Sequence, residues 1–166
     1  MTETKIRVLG ADEWDAYRQA RLRALKESPE AFAATYEAEA DYDEEVWRER
    51  MGRSARLVAE QNSEVVGIVS VRCDDAMFDN AAEVFGLWVP VSLRGSGIAA
   101  QLVQASARLA TNRGHSQLIY WVGTENARAV AFASSYGFRP SEFRRPMDRQ
   151  NDESVEEIAL TLALDR

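Results

Sequence analysis

The stretch "VPVSLRGSGIAAQLV", Val89 to Val103, decides how this chain is read. A β-rich run ends at a proline, a turn carries Gly95 and Gly97, and an apolar, helix-forming run follows at once. Glycine suits such a join, because without a Cβ it tolerates positive φ and lets backbone come close to a ligand. A helix starting near Ile98 leaves its first N–H groups unpaired, and their aligned dipoles favour an anion, phosphate above all. Ala99 and Ala100 keep the first turn slim, while Ile98, Leu102, Ala105 and Leu109 form the stripe expected to face a sheet. On spacing alone, a pyrophosphate cradle and a plain tight turn both fit. Two other nucleotide loops fit less well. "GSGIAA" satisfies Gly-x-Gly-x-x-Ala, but no acidic residue stands about 20 residues on to hold a ribose, and no Gly-Lys-Ser/Thr follows as a Walker loop requires.

Upstream of the turn, Glu83 to Val89 reads as a strand. Before it, "RLVAEQNSEVVGIVSVRC" holds two β-rich runs around Gln61-Asn62-Ser63, a hairpin-like turn, and "DDAMFDNA" interrupts. The N-terminal third reads as a strand over Lys5 to Leu9, a helix capped at Asp12 and carrying Trp14, Tyr17, Ala20, Leu22 and Leu25, a short helix from Pro29, and a turn near Asp41 before a helix with Val46, Trp47 and Met51. Downstream, the helix after Gly97 runs to about Arg113 and stops at Gly114. "SQLIYWVG" is a strand, Asn126 opens a helix that reaches about Tyr136 and stops at Gly137, and "VEEIALTLAL" closes the chain as a strand. This order predicts an α/β (α+β) fold with a mixed, mostly antiparallel sheet of about six to seven strands and about four flanking helices. With no internal repeat and no Gly/Ser-rich linker, residues 1–166 are expected to form a single domain.

The 46% hydrophobic content supports a sizeable core without staples. Cys73 is the only cysteine and His115 the only histidine, so neither an intramolecular disulfide nor a zinc centre is expected. A net charge of −7 disfavours nucleic acid, which needs a basic face. The same excess either keeps the protein soluble or favours cationic partners. No 18-residue apolar run and no signal-peptide core occur, so a cytoplasmic protein without membrane segments is the expectation.

"RGSGIA" resembles the Arg/Gln-x-x-Gly-x-Gly/Ala signature of the GNAT superfamily of acyl-CoA-dependent N-acetyltransferases, with Arg94, Gly97 and Ala99 on its defining positions. "LWVPVSLRG" resembles that family's fourth strand and its exit. "ENARAVAFASSYGF" is similar to its Asn-x-x-Ala…Gly-Phe segment, with Asn126, Ala129, Gly137 and Phe138 in register. Together these motifs span roughly residues 56–140. The resemblance implies a GNAT-like fold splayed between its fourth and fifth strands, where acetyl-CoA lies as acyl donor, with no metal. It places the pyrophosphate on Arg94, Gly95, Ser96, Gly97, Ile98, Ala99 and Ala100. The pantetheine arm would pair with backbone of Leu87 and Val89 and touch Asn126, which by position is equally a helix N-cap.

The reaction so implied is direct attack of a neutral primary amine on the thioester, which requires a base and an oxyanion donor. The resemblance puts the base at Glu83, otherwise a solvated strand-end carboxylate, and the donor at the backbone N–H of Leu87 or Trp88. Where the family usually carries a tyrosine that protonates the departing thiolate, seven residues past the motif asparagine, this chain has Ala133. Tyr136 is the candidate acid that remains, against a packing role for its ring. A non-catalytic or weakly catalytic acyl-CoA-binding module is the alternative function. The acceptor is expected to be a small molecule or protein amine, cationic if the Glu37, Glu39, Asp41, Asp43, Glu44 and Glu45 cluster steers it. His115 reads as a surface residue at a helix end, Cys73 as a small buried group, and Arg108, Arg113 and Arg128 as either solvated or near a 3′-phosphate. Homodimerisation is common among similar proteins, though no sequence feature requires it.

Overall fold

The hairpin at Gln61-Asn62-Ser63 forms because Asn62 and Ser63 both take positive φ, 53° and 65°, the geometry that matches the right-handed twist of two adjoining strands. It joins β2 (Ala55–Gln61) to β3 (Glu64–Cys73) in antiparallel register. The computed structural model describes residues 3–32, 34–73, 78–146 and 156–164. Of the interruption expected after β3, residues 74–77 lie outside the described residues. β1 (Lys5–Val8) adds to the outer edge of β2, and β4 (Ala81–Trp88) to the inner edge of β3. β5 (Gln117–Gly123) runs parallel to β4, and β7 (Glu156–Ala163) is antiparallel to β5. A strand missed by the sequence reading, β6 (Arg139–Pro146), pairs with β7 and forms the far edge. The resulting seven-stranded sheet has the order β1-β2-β3-β4-β5-β7-β6. β6 lacked a signal because it alternates charge and proline, "RPSEFRRP", and buries almost nothing.

Helices cover both faces of the sheet. α4 (Ile98–Asn112) and α5 (Ala127–Tyr136) pack on one face against Leu57, Val69, Val71, Val84, Leu118 and Leu160. The buried stripe of α4 differs from the expected one: it consists of Ile98, Leu102, Val103, Ser106 and Ala110, while Ala105 and Leu109 are half-buried. The buried Ser106 hydroxyl satisfies itself on Leu102 O at 2.9 Å, so a polar residue is tolerated there. A Cβ on Gly67 would meet Leu102 Cδ1 at 2.9 Å and Ile98 Cγ2 at 3.2 Å, so β3 admits the first turn of α4 only because position 67 has no side chain. α1 (Trp14–Glu27) and α3 (Glu44–Arg53), with the short α2 (Tyr36–Ala40) between them, cover the other face. Tyr17, Leu25 and Trp47 pack there on Val58, Ile68 and Trp88.

His115, expected on the surface, is buried, and its Nδ1 has no hydrogen-bond partner among the described residues. Gly114 takes φ 88° and turns the chain sharply from α4 into β5, which carries the imidazole inward. No helix among the described residues is long and apolar enough to cross a membrane.

Candidate active site

The sheet opens between β4 and β5. Their parallel pairing covers Ala81↔Gln117 through Val84↔Tyr120 and ends there, so Phe85–Trp88 and Trp121–Gly123 diverge without pairing to each other. One cause is a bulge in β4. Ser70 opposes Phe85 and Ile68 opposes Trp88, which inserts one extra residue into β4, and Gly86 absorbs it with φ 64°. A cleft of about 480 Å³ fills the opening, bounded by Glu83, Phe85, Gly86, Leu87, Tyr120, Trp121 and Asn126, with Arg21 and Phe32 from the α1–α2 side and Arg145 from β6. A second recess of about 530 Å³ lies at the β1–α4 flank, lined by Arg7, Gln101, Arg108 and Asn112. It holds none of the expected site residues except Arg108, and it lies away from the parting of β4 and β5.

The glycine turn lies directly after β4. Gly95 and Gly97 have φ 84° and 91°, and an added Cβ on either would meet nothing within 4 Å. Gly97 is the N-cap of α4, and no side chain caps the helix N–H groups. The chain therefore presents unpaired backbone donors to open space, with helix dipole behind them, as an anion cradle requires. Arg94 has a different task from direct charge pairing. Its Nε donates to Val89 O at 3.2 Å and its Nη2 to Ser28 Oγ at 3.2 Å, while Trp88 Nε1 donates to the same hydroxyl at 3.0 Å. Ser28 is fully buried, so these bonds tie the turn to the end of α1. Ser96 likewise spends its hydroxyl on Leu93 O.

Asn126 caps α5, its Oδ1 accepting from Ala129 N at 3.1 Å, and it also lines the cleft. Leu87 lines the cleft; Trp88 and Val89 are buried beside it. Glu83 is 3% exposed and faces the side opposite α4, where both its oxygens accept from Arg72 Nη2 at 2.9 Å and Arg145 Nη1 stands at 3.9 Å. It is an ion-paired carboxylate in the cleft wall, not a solvated strand end.

The structure does not bring Tyr136 to the cleft. Its ring tilts against Phe138 at 6.0 Å, and burial raises its pKa while the charge of Arg108, on α4, acts the other way. Ala133 is fully buried, with no room for a phenol. The phenol that does line the cleft is Tyr120, packed edge-on to Phe138 at 6.1 Å. Burial pushes its pKa up to about 12, so it stays a protonated donor at neutral pH, and its hydroxyl has no hydrogen-bond partner among the described residues. Sequence reasoning missed it because a tyrosine within the apolar run "QLIYWV" reads as core.

Other arginines gather on the face of the sheet covered by α1 and α3. Glu39, 2% exposed, is gripped by Arg21 (Nε and Nη2, both 3.1 Å) and by Arg50 (2.8 and 3.2 Å). Burial alone would raise the Glu39 pKa, but the bonds from both guanidinium groups outweigh it and hold the carboxyl below its ordinary value. Arg56, 5% exposed, donates to Ser70 Oγ at 2.8 Å and Arg50 O at 2.9 Å and lies over the Tyr17 ring at 4.6 Å. Burial lowers its pKa, yet a guanidinium remains cationic in any working range.

A sheet parted between parallel β4 and β5, with a glycine-capped helix start at the parting, is the arrangement that the resemblance to the GNAT superfamily predicted. The chain belongs to the acetyltransferase (GNAT) family, whose sequence pattern matches residues 16–138. It is 32% identical over 101 residues to an uncharacterized N-acetyltransferase of Archaeoglobus fulgidus, a match covering 58% of this chain and 67% of that one. It is 29% identical over 140 residues to the mycothiol acetyltransferase of Amycolatopsis mediterranei, covering 81% of this chain but only 45% of that protein. Among solved structures, yncA of Salmonella typhimurium, determined with its cofactor acetyl-CoA, superposes with a TM-score of 0.73 at 18% identity, covering 99% of this chain and 95% of that one. An N-acetyltransferase of Staphylococcus aureus superposes with a TM-score of 0.72 at 19% identity, covering 98% and 99%.

Proposed function

We propose that the chain transfers an acetyl group from acetyl-CoA to a primary amine of a small molecule or protein by direct attack. The observation that carries the reading is the uncapped N-terminus of α4, which faces open space at the point where β4 leaves the parted sheet. That geometry suits a diphosphate on the N–H groups around Gly97 and an extended arm laid beside Leu87. Acetyl-CoA supplies the activated acyl group.

The residues of the chain divide the remaining work. The bulge at Gly86 takes part of β4 out of the ladder, which makes the Leu87 N–H a donor for charge that builds on a carbonyl oxygen. Asn126, with Oδ1 occupied by its cap, keeps its Nδ2 to donate toward the cleft. Glu83 takes the amine proton, directly or through water, from within its bonds to Arg72. Tyr120 supplies a proton to the departing sulfur, the task for which Ala133 has no group.

The test is thiol release from acetyl-CoA across a broad amine panel, with product mass as the second readout. The reading expects release that depends on the amine and an acetylated product. Tight acetyl-CoA binding with no amine-dependent release would make the chain a binding module instead.

A further inference from the structure

The side of the cleft where an acceptor would enter is lined by Arg21 and Arg145, although the whole chain carries −7. Among the described residues, Arg21, Arg50, Arg72 and Arg145 are there joined to the carboxylates Glu39, Glu83 and Glu157, and the buried Arg56 stands behind them on Ser70. Neither Lys nor His contributes. The carboxylates are already engaged: Glu39 holds Arg21 and Arg50, Glu83 holds Arg72, and Glu157 accepts from Arg145 Nε at 2.9 Å.

The guanidinium groups keep donors in reserve. Arg21 uses Nε and Nη2 on Glu39, and its Nη1 has no hydrogen-bond partner among the described residues. That Nη1 lies 3.8 Å from the place a Gly86 Cβ would occupy, and Ser70 Oγ lies 3.9 Å from the same place. The empty space above Gly86 is thus edged by a guanidinium and a hydroxyl, beside the β4 bulge. Arg145, which also lines the cleft, stands over the Trp121 ring at 4.2 Å and is held by Glu157. Behind Ser70, the buried Arg56 has no carboxylate among its hydrogen-bond partners, and its Nε has no partner among the described residues. A planar guanidinium with a free edge, held rigid by stacking and ion pairs, matches a planar oxyanion better than it matches an ammonium group, which it repels.

Resting on the amine-acetylation reading above, we propose that the acceptor is an amino-acid-like molecule whose carboxylate is bound between Arg21 and Arg145 while its amine points to the β4–β5 parting. This reverses the cationic acceptor expected from the Glu37–Glu45 cluster. Within that cluster Glu39 is turned inward onto arginines, Asp43 caps α3 through Val46 N, and Glu44 pairs with Arg48. Those carboxylates build helices and their packing, and they do not line the cleft.

The experiment uses matched triplets: α-amino acids, their amides and the corresponding decarboxylated amines, tested in the acetyl-CoA thiol-release assay and by calorimetric titration into protein holding coenzyme A. The carboxylate member of a triplet should show kcat/KM or affinity roughly tenfold to a hundredfold above its amide, the range of one or two charge-assisted hydrogen bonds. Arg145→Gln, at the half-exposed rim, should erase most of that preference and leave acetyl-CoA affinity unchanged. Arg21→Gln should do the same, and if it fails to fold, Arg145→Gln alone decides. Acetylation indifferent to the carboxylate overturns the proposal and leaves the transferase reading standing. Binding that prefers the carboxylate and falls in Arg145→Gln, with no acetylation of any member, supports the anion site and sinks the transferase reading. A panel in which no carboxylate member binds or reacts better than its amide overturns the proposal.

Discussion

Arg21 and Glu39 meet as a two-pronged pair, Nε to Oε1 and Nη2 to Oε2, both at 3.1 Å, and the pair fixes which edge of the guanidinium faces the cleft. Glu39 comes from α2, whose own role is small, five residues capped by Thr35. The carboxylate is also held by Arg50 of α3, so one buried anion joins α1, α2 and α3 and orients a residue of the site.

Glu39→Ala should therefore cost about 3 kcal/mol of stability, because two part-buried arginines are left without their counter-charge. Its pH dependence follows from the direction of the shift. The folded pKa lies below the ordinary value of 4.5, so the contribution is full above that value and is lost as pH falls below it, through the lower folded pKa. Thermal melts of wild type and Glu39→Gln across acid pH check this: the two curves should converge as pH drops, and a constant gap would show that Glu39 does not act through its charge.

The cradle can be tested without breaking the helix. Ser96→Glu puts a carboxylate beside the start of α4, where the dipole welcomes it and a bound diphosphate would not. Calorimetry should show at least tenfold weaker coenzyme A binding with an unchanged melting temperature. Gly97→Val should also lose binding, but with φ 91° at this position it carries backbone strain of about 1–3 kcal/mol, so a lower melting temperature accompanies it. Unchanged affinity in folded Ser96→Glu would place the phosphates elsewhere.

If Glu83 removes the amine proton, Glu83→Gln should slow turnover roughly 10²-fold near neutral pH and leave the KM for acetyl-CoA alone. The rate should recover at alkaline pH, where the amine is already neutral. A deficit that persists at every pH would assign Glu83 to holding Arg72 and Arg145 in place instead.

Tyr120→Phe keeps the packing on Phe138 and deletes only the hydroxyl. Single-turnover acetyl transfer should fall roughly 10²-fold if that group protonates the sulfur, and Tyr136→Phe should be close to wild type. The opposite pattern would return the acid to Tyr136. Ala133→Tyr should destabilise by about 1–3 kcal/mol or more without speeding the reaction, since the ring has no space at a fully buried position.

Local chemistry explains what could be read directly. The glycine turn, the α4 start, the Asn126 cap and the Asn62-Ser63 hairpin each depend on residues a few positions apart, and each forms where the sequence predicts it. The parting of β4 from β5 came with the family resemblance, and its physical cause, one extra residue at Gly86, is visible only in the β3–β4 register. β6 escaped notice because an edge strand with both faces wet carries no hydrophobic alternation.

By itself, the sequence determined the family, the sheet with its helices, and the glycine-turned, uncapped start of α4, because period and turn chemistry act over short stretches of chain. The tertiary structure alone decided which charged groups meet in the cleft. An acidic run at Glu37–Glu45 reads as a surface that attracts cations, but packing turns Glu39 inward onto Arg21, and folding brings Arg21 from α1 and Arg145 from β6 to one cleft, with Arg72 of β3 holding Glu83 in its wall. Net charge is a sum over the chain, whereas the field in a cleft is set by the few groups that folding brings within ångströms of one another.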